Sequence, residues 1–178
     1  MPKKTSILFD AYHLYHLPQF DPVIDLLAQD DRFELFLSTS NNIDEEERAL
    51  SLSILDERPG TLIKAETEQA RSGMIRELEP DVFICGWSRY ELEEFIPGST
   101  LVGMIYHGIG VKPSYWRDNH ARIDVRFVEG AYRIQQLRDQ GIETDLVLTG
   151  FTKLDPLFHD NEEQEKKLIR MLDLDPGK

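Results

Sequence analysis

The chain carries a single cysteine, Cys85, so no intrachain disulfide can staple it. Cys85 sits inside an apolar run and reads as a small buried hydrophobe rather than a nucleophile. Basic residues are scarce: 20 Lys and Arg stand against 33 Asp and Glu, for a net charge of −13. That balance argues against sequence-independent binding to nucleic acid, which depends on cations neutralising phosphates, and against electrostatic attachment to an anionic membrane. No apolar run approaches the length needed to span a bilayer, and the one after Met1-Pro2-Lys3-Lys4 has strand length rather than the form of a signal peptide. The expectation is a soluble cytoplasmic protein with no transmembrane segment and no nucleic-acid partner.

Several chemical signatures are also missing. No G-x-G-x-x-G follows the first apolar run and no G-x-x-x-x-G-K-[ST] occurs, which sets aside the common dinucleotide and P-loop sites. There is no G-x-S-x-G elbow. Cysteine and histidine spacing gives no zinc site, and His13 with His16 lacks a third ligand, so neither metal nor cofactor is expected.

What is present is an alternation of short apolar runs with helical periods. Runs at 5–11, 33–39, 82–86, 100–106, 123–128 and 145–148 read as strands, with Leu62-Ile63 as a shorter one. Helices are expected from Asp21-Pro22 to about Asp30, from a cap at Asn42 or Asp44 to Asp56, from about Glu66 to Leu78, and from Ala131 to Gln140 before Gly141. Asp44 to Glu47 read as a solvated helix start suited to the helix dipole. Continuously apolar strands separated by helices predict a parallel sheet covered on both faces, a Rossmann-like α/β fold. The expected division is a Rossmann-like domain over 1–158 and, over 159–178, a helix with the start of an interdomain connection.

In such a sheet ligands bind beyond the carboxyl ends of the strands. One strand delivers His107, Gly108, Gly110 and Lys112 to that edge; another delivers Thr149, Gly150, Phe151, Lys153 and Asp155. Glycines let backbone amides approach an anion, lysines balance phosphate charge, and an imidazole can take a proton near neutral pH. His13, His16, Trp87 and Glu129 are further candidates for lining the same cleft. The plainer alternatives are that His107 ends a buried strand, that the lysines are solvated, and that Asp155-Pro156 is a turn or cap. Trp87, Tyr90 and Trp116 read equally as core or rim and as a stacking platform, and His120 and His159 carry no functional reading.

The segment His107-Gly108-x-Gly110-x-Lys112, followed by Thr149-Gly150-Phe151-x-Lys153-x-Asp155-x-Leu157, resembles the CDP-glycerol glycerophosphotransferase family of teichoic-acid primases and polymerases. The resemblance covers mainly 81–157. It departs at Thr152, where the family usually has proline, and over 12–20. It implies a two-domain GT-B architecture of which this chain is the N-terminal, acceptor-side half, inactive without a C-terminal donor-binding domain. By the same resemblance His107 is the candidate general base. Gly108, Gly110 and Lys112 would shape the acceptor-side wall, and Thr149, Gly150, Lys153 and Asp155 the turn toward the hinge. The substrates implied are CDP-glycerol and a polyol-phosphate or glycan acceptor, with membrane association open for the complete enzyme. Two alternatives stand beside it: a GT-B nucleotide-sugar enzyme of the UDP-N-acetylglucosamine 2-epimerase or glycosyltransferase type, and a non-catalytic Rossmann-like interaction module.

Overall fold

The computed structural model describes residues 3–87, 92–108, 122–158, 166 and 169–171. Seven strands, β1 (Thr5–Asp10), β2 (Phe33–Ser38), β3 (Thr61–Leu62), β4 (Val82–Cys85), β5 (Leu101–Ile105), β6 (Val125–Val128) and β7 (Asp145–Leu148), form one sheet in the order β3-β2-β1-β4-β5-β6-β7. Every neighbouring pair is parallel. The chain winds outward from β1 to β3, crosses back, then winds the other way from β4 to β7. The strand order therefore reverses between β1 and β4, whose ends meet at Asp10 opposite Cys85.

Alternation of side chains along each strand feeds two cores. Leu8, Phe83, Val102 and Met104 face one side, where Ile75 of α3 (Glu68–Leu78) and Leu137 of α4 (Ala131–Asp139) cover them. Ile7, Phe9, Ile84 and Ile105 face the other, under Phe20 and Ile24 of α1 (Leu17–Leu27) and Leu55 of α2 (Glu45–Asp56). On that second face Ile84, Ile105 and Phe127 floor an apolar groove of about 370 Å³ that Thr149 and Thr152 also line.

The helix starts follow local chemistry. Asp44 accepts from the amides of Glu46 and Glu47, and Thr67 from that of Ala70, so side-chain oxygens satisfy donors the helix itself leaves open. Gly141, at φ 76°, ends the α4 unit in a backbone region that glycine enters without strain. Among the described residues no helix is long and apolar enough to cross a membrane.

One helix differs from expectation. Asp21-Pro22 reads as a cap and first-turn proline, but α1 begins four residues earlier, with Pro18 in its first turn and Pro22 inside it. The earlier start buries Leu17 together with Phe20 and Ile24 against the sheet, and that burial offsets the amide hydrogen bond Pro22 cannot make. The helix expected over 161–172 lies almost wholly outside the described residues; 166 and 169–171 are helical.

Candidate functional site

The strand reversal leaves a corner at the carboxyl edge where the exits of β1, β4 and β5 lie side by side, the position where open α/β sheets bind ligands. Beyond β1 the chain makes a 3-10 turn, η1 (Leu14–His16), that runs directly into α1. Its aromatic side chains converge with Trp87, beyond β4, and His107, beyond β5. His107 lies 4.8 Å from the His16 ring and 5.2 Å from that of Tyr15, between ring centroids. Tyr15 covers His16 edge-on at 4.6 Å and stacks on His13 at 4.9 Å. Trp87 packs edge-on against Tyr12 at 4.9 Å and lies 5.9 Å from His13.

Each ring is held by something specific. His107 is half-buried, and its Nδ1 lies 2.8 Å from the Gly86 carbonyl. A carbonyl only accepts, so Nδ1 carries the proton and the neutral ring keeps its lone pair on Nε2. Gly86 itself makes room for His16: a Cβ there would lie 2.9 Å from His16 Cγ. His13 Nδ1 meets the Glu47 carboxylate at 3.2 Å, and the same carboxylate accepts from the Leu14 amide at 2.9 Å. Glu47 therefore does not end in solvent, as a helix-start carboxylate is expected to; it reaches back from α2 and pins η1.

His16 is wholly buried. Burial, then the neighbouring His107 and His13, push its pKa from 6.5 down to about 3, so it is neutral throughout the physiological range. A buried ionic cluster stands at the end of β1. Asp10, at the end of β1, accepts from Arg71 Nη1 at 2.6 Å and from the Ser38 hydroxyl, and Arg71 also pairs with Glu68. Asp10 and Arg71 are both buried, which ties the exits of β1 and β2 to α3. Cys85 is buried and its thiol is pushed up to about 12 by desolvation, in keeping with a packing role.

The residues expected to line the site divide into three groups. The structure brings His13, His16, Trp87 and His107 together, with Gly108 immediately beyond. Glu129 stands at the β6 exit but is engaged by Arg133, whose Nε and Nη2 lie 2.9 and 2.8 Å from its Oε1. Thr149, Lys153 and Asp155 are exposed, and Gly150 is half-buried. From Thr152 the chain enters a turn, η3 (Thr152–Phe158), that packs on α1. Thr152, standing where proline was the family habit, donates its hydroxyl to the Gln19 carbonyl at 2.7 Å and so anchors that turn. Gly110 and Lys112 lie outside the described residues, as do Tyr90, Trp116, His120 and His159. Among the described residues no three His, Cys, Asp or Glu side chains gather as a metal site. Glu47, Gly86 and Gln19 escape sequence reading; the faint signal was the density of rings in 12–20, which needed a partner strand to give it meaning.

Neither a protein-family model nor a curated protein matches the sequence. Solved structures do. The UDP-GlcNAc 2-epimerase of Neisseria meningitidis bound to UDP-GlcNAc superimposes with a TM-score of 0.60 at 14% identity, covering 96% of this chain and 53% of that one. A putative UDP-N-acetylglucosamine 2-epimerase from Listeria monocytogenes gives 0.57 at 15%, covering 89% and 49%. The S. aureus MnaA–UDP co-structure gives 0.56 at 16%, covering 89% and 48%. At these identities the likeness establishes the fold, a GT-B-like Rossmann half, and the chain spans about half the length of these neighbours.

Proposed function

We propose that this chain is the acceptor-side half of a two-domain GT-B-type enzyme working on a nucleotide-activated substrate, and that the reaction is transfer of glycerol phosphate from CDP-glycerol to an acceptor hydroxyl. The observation that carries it is His107: half-buried, beside the strand reversal, with its tautomer set by the Gly86 carbonyl. In that tautomer Nε2 takes the proton of the acceptor hydroxyl as its oxygen attacks the β-phosphorus of CDP-glycerol. The bond from that phosphorus to the bridging oxygen breaks, and CMP leaves. Gly108, with Gly110 and Lys112 by resemblance of sequence, would complete the acceptor wall, and the donor would be held by a second domain.

A second reading, a nucleotide-sugar enzyme of the 2-epimerase type, is favoured by the solved structures this fold matches. One experiment separates the two. In the polypeptide that joins this chain to a donor-binding half, CMP release from CDP-glycerol and epimerisation of UDP-GlcNAc are measured with and without His107→Ala. The transferase reading expects CDP-glycerol turnover that falls by about 10²-fold or more in the variant, with little change in melting temperature. Turnover unchanged by His107→Ala removes His107 from the mechanism. Activity on UDP-GlcNAc alone transfers the assignment to the second reading.

A further inference from the structure

His16, packed against His107, and Gln19, one helical turn further on, are polar where the fold alone would be better served by apolar side chains. His16 and Gln19 are three residues apart in a helical stretch, so they share one face, and both are fully buried. Both ring nitrogens of His16 and both amide atoms of Gln19 lack a hydrogen-bond partner among the described residues. Buried polar atoms are almost always paired, because desolvation without a new bond is a net loss. Two such residues one helical turn apart, the first packed on His107 at the sheet edge where ligands bind, point to bonds made only when something else is present.

The chemistry of that something can be read from the groups. His16 stays neutral, and a neutral imidazole offers one N–H donor and one acceptor nitrogen, while a carboxamide offers two N–H donors and an acceptor oxygen. The charged group that meets the η1 rings here is the Glu47 carboxylate, which opposes an anion. The half-exposed ring of Tyr15 roofs His16, and Trp87 stands alongside at 6.4 Å. Uncharged donor–acceptor pairs beneath aromatic faces match hydroxyl groups on a carbon skeleton, not phosphate.

We propose that His16 and Gln19 form a binding subsite for neighbouring hydroxyls of an uncharged polyol or sugar ring, reached when the Tyr15 ring swings off His16 and settles on the C–H face of the ligand. The subsite rests on the reading that the His107 edge is a substrate site, and it names the class of group that enters there.

The test uses the 178-residue chain. Side-chain NMR of the His and Tyr rings is followed during titration with methyl glucopyranoside and with glycerol, and separately with inorganic phosphate and glycerol 3-phosphate. The variants are Gln19→Leu and His16→Phe, which keep shape and remove the polar atoms. The expected result is saturable, millimolar binding of a neutral probe that shifts Tyr15, His16 and His107, weakened about tenfold or more in either variant. The unfolding midpoint of each variant at neutral pH should be equal to or above that of the parent. Absence of binding by both neutral probes overturns the proposal, as does a stronger response of the same rings to phosphate. Binding that survives both substitutions overturns it too, as does a lowered midpoint with binding intact, which makes the pair structural. If a variant fails to fold, the neutral-against-anionic comparison on the parent chain still decides. Loss of this subsite leaves the His107→Ala turnover experiment untouched, and failure of the transferase reading leaves sugar binding to be observed, so the two stand or fall separately.

Discussion

Mild acid should destabilise this protein before its carboxylates titrate, and His16 should be a principal cause. Its folded-state pKa is about 3 against an ordinary value of 6.5, because burial disfavours the imidazolium. Between those values the unfolded chain binds a proton at His16 and the folded chain does not. Stability therefore begins to fall as pH drops through 6.5 and goes on falling toward 3. From about pH 7.5 to about pH 5 the loss comes to about 2 kcal/mol, set almost entirely by the unfolded-state value. That is a sizeable fraction of the roughly 5–15 kcal/mol that holds a typical domain together. Urea unfolding followed by circular dichroism at the two pH values measures it directly. His16→Phe supplies the control, since it removes the buried imidazole and leaves the rest of the chain unchanged. The variant should lose about 2 kcal/mol less than the parent over this interval. An equal pH dependence in the two would show that His16 is not held neutral by the fold, and the burial argument would fall.

Two substitutions probe the walls of the corner. Gly86→Ala places a methyl 2.9 Å from His16 Cγ and 3.2 Å from its Cβ and Cδ2, in a ring cluster with little slack, and should cost about 1–3 kcal/mol while shifting the His107 ring resonances. A variant as stable as the parent with unshifted His107 signals would mean the two rings are not coupled through Gly86. Arg71→Met removes the guanidinium from Asp10 and leaves a fully buried carboxylate under-compensated, which should cost about 3–5 kcal/mol in chemical denaturation. Adding Asp10→Asn should recover part of that loss, and no recovery would indicate that Arg71 acts through Glu68 or packing instead.

The strands were legible because each is a short apolar run without helical period, and their flanking glycines, prolines and capping residues marked the breaks. Strand order was not legible, since apolar runs say nothing about which neighbour each will choose. That gap is why the site was only half visible. His107 could be placed at a carboxyl edge from its own strand alone, but its meeting with Tyr15 and His16 depends on β1 lying beside β4. Glu47 was misread for a related reason: an acidic first turn looks solvated until η1 is known to pack against it. Arg71 and Gln19 drew no reading from the sequence, and their burial follows from the pairing of Arg71 on α3 with Asp10 and from the early start of α1. Thr152, which the sequence offered only as a mismatch to a resembled pattern, proves to donate its hydroxyl to the Gln19 carbonyl.

The two edges of the one sheet treat their polar groups differently, and the contrast bears on where function lies. At the amino edge Asp81 accepts from the amide and hydroxyl of Ser6 while its own amide donates to Ser6 Oγ, each bond at 2.9 Å. There too the Thr100 hydroxyl donates to the Pro80 carbonyl at 2.7 Å, and Asp124 accepts from the Val102 amide at 2.7 Å. Those bonds close the strand starts, and Asp81 is correspondingly held down at a pKa of about 2. At the carboxyl edge Asp10 Oδ2, Thr39 Oγ1, both nitrogens of His16, the Gln19 amide and Glu129 Oε2 are buried without partners among the described residues. Arg126 Nη2 on β6 and Ser51 Oγ on α2 are buried without one elsewhere, so the deficit is concentrated at this edge rather than confined to it. Local rules broken together at one place are what the proposed subsite requires, since such breaks are expected at functional or strained positions. The deficit is deepest around η1 and α1, at the reversal of strand order, and it is there that the chemistry of this chain should be sought.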